Sequence, residues 1–531
     1  MLTRIRQEGL RRSKVMDTLG DLTDRIGPRL TGSASLRQAN DWTRDQFTKW
    51  GLANAHLESW GPFGAGWAFD SAAVRMIAPD VALLYAIPRP WTPGTNGVVR
   101  GAVVKAMLAT KDDLEKNKGK LTGKIVLLET PPPTTPPGGG NASVTVPGAQ
   151  HYSDKDLEDL FHFPIPGAGR GGDPAAARGE RLKRLEFANQ LREFLAVEKP
   201  LAVITTGTRN LDGTIFVQAS GSTYESGKHD AVTTLALTAE HFGRISRLLD
   251  RKTPVELELN VATSFDENSP APTNTVAELP GSDPRLKDEV VMLGAHLDSW
   301  TGGTGATDNA VGCAIVMEAI RILKAIDAHP RRTVRAALWT GEEQGLLGSA
   351  AYVEQHFASR PPPSDPNERK QPKFMWREAG RPLTVKPEHA KLAAYFNVDN
   401  GAGKLRGIYA QENAAVVPTF ESWITPLKDL GVTTVTMRNT GSTDHISFDN
   451  VGLPGFQFIQ DELDYFARTH HSNMDTVEHV KREDAMQASV VMAWFVYNAA
   501  MRDEMLPRKP LPAEEKSEAP APGGKSADSK P

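Results

Sequence analysis

The sequence predicts an α/β fold: a mostly parallel central sheet with helices on both faces, into which a small β-rich domain is inserted. Three observations carry that expectation. From about Pro254 onward, apolar runs of strand length alternate with helical stretches. Short β-like runs of a different texture occupy residues 93–253. The 531 residues suffice for a large core without cross-links, and Cys313 is the lone cysteine.

In chain order, Val15, Leu19, Leu22 and Ile26 recur at helical spacing, and Gly27 with Pro28 ends that helix. A second helix is capped by Ser33 or Ser35, turns Leu36, Ala39, Phe47 and Trp50 to one side and stops at Gly51. The glycine- and tryptophan-rich stretch from Trp60 to Trp67 reads as an ordered loop. Residues 97–99, 102–104, 124–128 and 201–204 read as short strands, and Glu180 to Ala196 as a helix. The proline- and glycine-rich excursion 131–179 has no role beyond a rim or lid. Strands are then expected at 289–295, 333–339 and 391–398, with helices at 310–324, 346–357 and 488–500. Arg360 to Pro372 reads as a surface loop. The chain thus divides into residues 1–92 and 254–507 of one main domain, the insertion at 93–253, and a tail at 508–531 whose composition predicts disorder.

Composition removes several functions. With 61 basic against 65 acidic side chains, the net charge of −4 argues against nucleic acid as a partner. No apolar run approaches the roughly 18 residues of a membrane span. Met1 to Gly20 is arginine-rich with spaced apolar residues, which does not read as a signal peptide.

The chemistry gathers where the strands end. His296 and Asp298 follow the first strand of the main domain, Glu342 and Glu343 the second, and Asp399 the third. In an open α/β sheet those ends meet at one crevice. Taken singly, each has a plain structural reading: Asp308 and Asn309 as a helix cap, the paired glutamates as a helix-start dipole interaction, His296 as a core histidine. The glycine-rich loop from Asp298 to Asp308 lacks the Lys-Ser/Thr ending of a phosphate cradle and has acids at both ends. There is no Gly-x-Ser-x-Gly elbow and no His-Glu-x-x-His, and Cys313 inside an apolar helix reads as a packing residue. A pair of Zn²⁺ ions about 3.5 Å apart accounts for the whole set. Their four positive charges balance Asp308, Glu343, Asp399 and a bridging hydroxide. Glu342 is then left as the general base, and Asp298 is placed to orient the His296 imidazole.

These residues, with Asn397-Val-Asp399 and His471-Ser-Asn-Met-Asp-Thr476, resemble the five signatures of the co-catalytic dizinc exopeptidase family, which holds bacterial aminopeptidases and carboxypeptidase Q-like enzymes. The resemblance implies that His296 and Asp399 bind one zinc, Glu343 and His471 the other, and Asp308 both, with Glu342 as the catalytic base and Asp298 holding His296. It selects His471 over His470, which spacing leaves ambiguous, and implies a cis peptide between Asp308 and Asn309. Gly441 to His445 is similar to a segment near the family's substrate pocket; a structural turn and a substrate contact through Asp444 and His445 are both open. Tyr465 either stabilises the oxyanion or only packs. Leu121 to Leu128 looks like a protease-associated domain, and Asp24 to Ser33, Trp60 to Trp67 and His470-His471 resemble the carboxypeptidase Q branch.

The implied activity is zinc-dependent hydrolysis of terminal peptide bonds of short peptides, carboxypeptidase Q-like, through a dizinc-bridged hydroxide. The same core serves an aminopeptidase. A one-zinc glutaminyl cyclase or a dead receptor-like relative is disfavoured by the intact ligand set. A peptide is the expected partner, and a homodimer is compatible with the sequence. Export to the periplasm or outside is expected from the resemblance, the cytoplasm from the missing leader. The sequon at Asn141 carries little weight.

Overall fold

Two eight-stranded sheets organise the chain in the computed structural model, which describes residues 1–129, 152–162, 174–207, 212–219, 224–378 and 380–511. The main sheet runs in the order 53–59, 273–279, 333–339, 290–296, 392–397, 455–460, 405–409 and 434–436. Its four central strands are all parallel, and antiparallel pairings flank them. The expected strands and helices of residues 289–357 fall within one or two residues of the observed ones.

Alternation along the strands builds a core on each face. Val291, Leu293 and Ala295 point to one side with Val334, Ala336 and Leu338. There they meet Ile315 and Ile322 of helix Val311–Ala325, Val491 and Phe495 of helix Arg482–Met501, and Ile5 of helix Leu2–Arg11. Met292, Ala337 and Trp339 point the other way, against Tyr352 and Val353 of helix Leu347–His356 and against Phe448. Such period-2 partition is what a sheet covered on both faces requires.

The N-terminal periodicity hides a change of helix type. Val15–Gly20 is α-helical, whereas Asp21–Ile26 is a π-helical turn that Gly27 ends. Helix Ala34–Lys49 is capped by Ser33, whose Oγ accepts from Leu36 N at 3.2 Å.

The second sheet orders 82–84, 66–78, 256–266, 98–107, 125–129, 202–205, 234–237 and 86–88. It draws strands from beyond the expected 93–253, because the long antiparallel ribbon of Gly66–Ala78 and Glu256–Asp266 belongs to it. Of the excursion 131–179, residues 152–162 lie against the main domain. Arg438 Nε donates to His162 O at 3.1 Å and Tyr152 N to Asp461 Oδ1 at 2.8 Å, so helix Asp154–Phe161 shields the edge strand Thr434–Thr436. Residues 131–140 and the Asn141 sequon lie outside the described residues. So does the tail from 512, but its expected start is held: Arg508 donates to His389 O and Leu392 O, and Lys509 pairs with Asp449. No helix among the described residues is long and apolar enough to cross a membrane.

Candidate metal centre

Each candidate ligand leaves the carboxyl end of a central strand or an adjoining loop. His296 is the last residue of its strand, and its carbonyl accepts from the Cys313 thiol at 3.0 Å, so the cysteine packs beneath the site. After strand Thr333–Trp339 the chain turns at Gly341 (φ 75°), where a Cβ would lie 2.7 Å from the Trp60 ring. That turn presents Glu342 and Glu343. The loop carrying His471 packs so closely on the glycine-rich loop that a Cβ on Gly303 would stand 2.5 Å from Asp475 O. The glycines therefore permit backbone approach.

Asp308 lies between two imidazoles: Oδ1 is 3.2 Å from His296 Nε2 and Oδ2 is 3.2 Å from His471 Nε2. His296 Nε2 also stands 3.3 Å from Asp399 Oδ1 and 3.9 Å from Glu342 Oε2, and His471 Nε2 stands 3.0 Å from Glu343 Oε2. The peptide between Asp308 and Asn309 is cis. Asn309 Oδ1 accepts from Gly312 N at 3.2 Å, so it caps the following helix while Asp308 faces the crevice.

The donor set fits a metal. Asp308 Oδ2 and Glu343 Oε1 are buried without a hydrogen-bond partner, which is costly for carboxylate oxygens. His296, Asp308 and Glu343 form one group able to hold a cation, and His296, Glu342 and Asp399 another. The electrostatics agree. Burial opposes charging His471, yet Glu343 and Asp308 push its pKa to about 10. Burial opposes charging His296 too, but Asp399 and Glu342 raise it well above the usual value. Burial and then Asp308 push Glu343 up to about 7, and burial first of all raises Glu342 strongly. So many acids call for positive charge, which the imidazoles supply by protonation.

Asp298 is fully buried, and its main chain meets His296 more closely than its carboxylate does. His296 Nδ1 lies 3.0 Å from the Asp298 main-chain oxygen and 3.7 Å from Oδ1. The carboxylate instead accepts from Glu342 N and Glu343 N, each at 3.3 Å, and from Thr31 Oγ1 at 2.9 Å. It positions the glutamate turn. Tyr465 is buried among the site's acids, and burial followed by Asp308 and Asp399 keeps its phenol protonated. Asp444 is fully enclosed with neither oxygen hydrogen-bonded; its pKa is pushed up to about 7, chiefly by burial. His445 does not face the crevice. Its Nε2 contacts Gln411 Nε2 and Thr440 O at 3.0 and 3.1 Å, which favours the structural-turn reading for it.

Two residues escaped the sequence reading. The Arg29 guanidinium, fully buried, donates to the carbonyls of Leu297, Thr304 and Gly305 and so clamps both ends of the loop between His296 and Asp308. Gln218 reaches His471 from the second sheet.

Residues 274–496 match the model of peptidase family M28. The chain is similar to carboxypeptidase Q of Mus musculus, 27% identical over 94% of this chain and 88% of that one. Among solved structures it resembles a peptidase M28 precursor from Shewanella amazonensis, with TM-score 0.64, 24% identity and 96% and 98% of the two chains covered. It also resembles a zinc aminopeptidase from Bacillus subtilis, with TM-score 0.55, 17% identity and 92% and 95% coverage. By these likenesses the chain is a metallopeptidase, and the neighbours share its mixed-sheet architecture.

Proposed function

We propose that this chain is a zinc-dependent exopeptidase that cleaves a terminal bond of short peptides, in the manner of a carboxypeptidase Q. The observation that carries the proposal is the position of Asp308, with one oxygen toward each of two histidines, each histidine backed by a further acid. His296 and Asp399 would hold one zinc, Glu343 and His471 a second, and Asp308 both. Zinc held there would supply Lewis acidity, which polarises a scissile carbonyl and makes water a nucleophile near neutral pH.

The chain's own groups do the rest. Glu342 takes a proton from the attacking water and returns it to the leaving amine. Asp298 keeps Glu342 in place through its main-chain N–H. The Tyr465 phenol, kept protonated by burial, is available to donate to the developing oxyanion.

Similarity across 94% of the chain supports the carboxypeptidase reading. A second reading, an aminopeptidase, is supported by the 26% identity to Aminopeptidase YwaD of Bacillus subtilis over 41% of this chain. Blocked dipeptides given to zinc-loaded protein decide. Cleavage of an N-acetylated but not a C-amidated dipeptide is the expected result; the reverse pattern establishes the aminopeptidase. A protein that binds no zinc and cleaves neither refutes both readings.

A further inference from the structure

The two metal-facing imidazoles are oriented by different parts of the molecule. Both aim Nε2 into the carboxylate cradle. His296 Nδ1 finds its acceptor two residues away, at the Asp298 carbonyl, 3.0 Å distant. His471 Nδ1 instead lies 2.6 Å from the side-chain amide of Gln218, 253 positions earlier in the chain. Gln218 belongs to the segment between the strands Ala202–Thr205 and Thr234–Leu237 of the second sheet.

That segment is laid antiparallel along the His471 loop. Val217 N donates to His471 O at 2.7 Å, and Asn473 N to Ile215 O at 3.1 Å, while Phe216 bridges Ser472. Arg89 Nη1 donates to the Gln218 main-chain carbonyl at 3.1 Å, so the backbone that carries the side chain is fixed as well. Phe216 and Trp300 flank the His471 ring at 5.7 and 6.0 Å, and His470 stacks on it at 3.6 Å. Those rings set the plane of the imidazole but do not choose its tautomer.

An imidazole ligates through the nitrogen that carries no proton. Ligation through Nε2 therefore puts the proton on Nδ1, where it needs an acceptor. A primary amide turned by 180° about its last bond offers its oxygen at the same place. We propose that Gln218 is the positioning residue of His471: its amide oxygen accepts the Nδ1–H, selects the tautomer that presents Nε2 to zinc, and so makes the second sheet part of the metal centre. The inference rests on the dizinc reading above.

Zinc affinity and stoichiometry of the full chain, measured by competition with a chromogenic chelator, test it with Q218L and Q218E. Wild-type protein is expected to bind two zinc ions. Q218L should weaken one of them by roughly 10–100-fold, and should reduce the rise in melting temperature that zinc produces. Q218E, whose carboxylate accepts the same proton, should restore tight binding of both ions. If Q218L does not fold, Q218E alone decides. Wild-type affinity in Q218L, an unchanged zinc-induced rise, or a Q218E as weak as Q218L overturns the inference and leaves the dizinc reading standing. Wild-type protein that takes up no zinc overturns that reading itself.

Discussion

Glu342 and Glu343 are adjacent in sequence and nearly alike in burial, yet their neighbours differ, as the proposed division of base and ligand requires. Glu343 Oε2 stands 3.0 Å from His471, within the group that surrounds Asp308. Glu342 stays 3.9 Å from His296, and burial reinforced by Asp399, Asp444 and Glu343 raises its affinity for a proton. A base that must accept a proton and pass it on needs that raised affinity. Glu342→Gln keeps the shape and removes the proton site. We expect turnover to fall by roughly 10²–10⁴-fold with zinc content unchanged, read by kcat alongside metal analysis. Turnover within tenfold of wild type at full zinc content would assign the proton transfer elsewhere. At this scale the strand-end residues were legible because strand termini in an α/β sheet must converge. Gln218 was not, since a lone glutamine in a loop has neither periodicity nor motif spacing. The bonding of Asp298 was half legible: its place beside His296 was plain, but only coordinates show its carboxylate turned to the glutamate N–H groups.

Among elements, those of residues 289–357 were read to within two residues, because continuous apolar runs flanked by glycine or acids mark them, whereas the buried strands Thr273–Leu279 and Gly455–Gln460 went unread and helix Arg482–Met501 begins six residues before its expected start. The strand Gly66–Ala78 went unread too. Its Asp70, Ser71 and Arg75 break any apolar alternation, and its pairing is spread over a long ribbon. Asp21–Ile26 was read as plain helix because four-three-four spacing does not distinguish a π turn. Edge elements also rely on polar ties that a hydrophobic pattern does not report. His356, at the end of helix Leu347–His356, bonds Glu58 on the sheet's edge strand at 2.8 Å and faces Glu388 at 3.2 Å. The Glu58 hydrogen bond raises its pKa above the usual 6.5. A histidine whose folded pKa is raised stabilises fully below its unfolded value, and the contribution fades as pH rises through the folded one. His356→Gln should therefore cost about 1 kcal/mol at pH 5.5 and almost nothing at pH 9. Urea melts at the two values measure this, and an equal cost at both would mean that packing on Tyr352, not charge, is what His356 supplies.

For the whole molecule, the site couples folding to metal. It sits where both sheets and the N-terminal segment meet, with Arg29 clamping one ligand loop and residues 215–218 lying on the other. In zinc-free protein, burial above all pushes Glu343, Asp444 and Asp475 up to about 7. Between the ordinary carboxylate range and pH 7 the folded chain then holds protons that the unfolded chain has released, so stability falls as pH rises across that window. His471, with its pKa at about 10, extends the same slope above 6.5. Bound zinc would replace those protons, so the loaded protein should lack most of this slope. At pH 7.5, zinc at 1,000 times its Kd should add about 4 kcal/mol, which corresponds to roughly 4–6 °C for a chain of this size. Thermal melts of chelated and zinc-loaded protein from pH 5 to 8 test the argument. The gap between the two curves should widen steadily with pH. A constant gap would show that the acids around Asp308 are already ionised without metal, and that the charge balance assigned to the imidazoles is wrong.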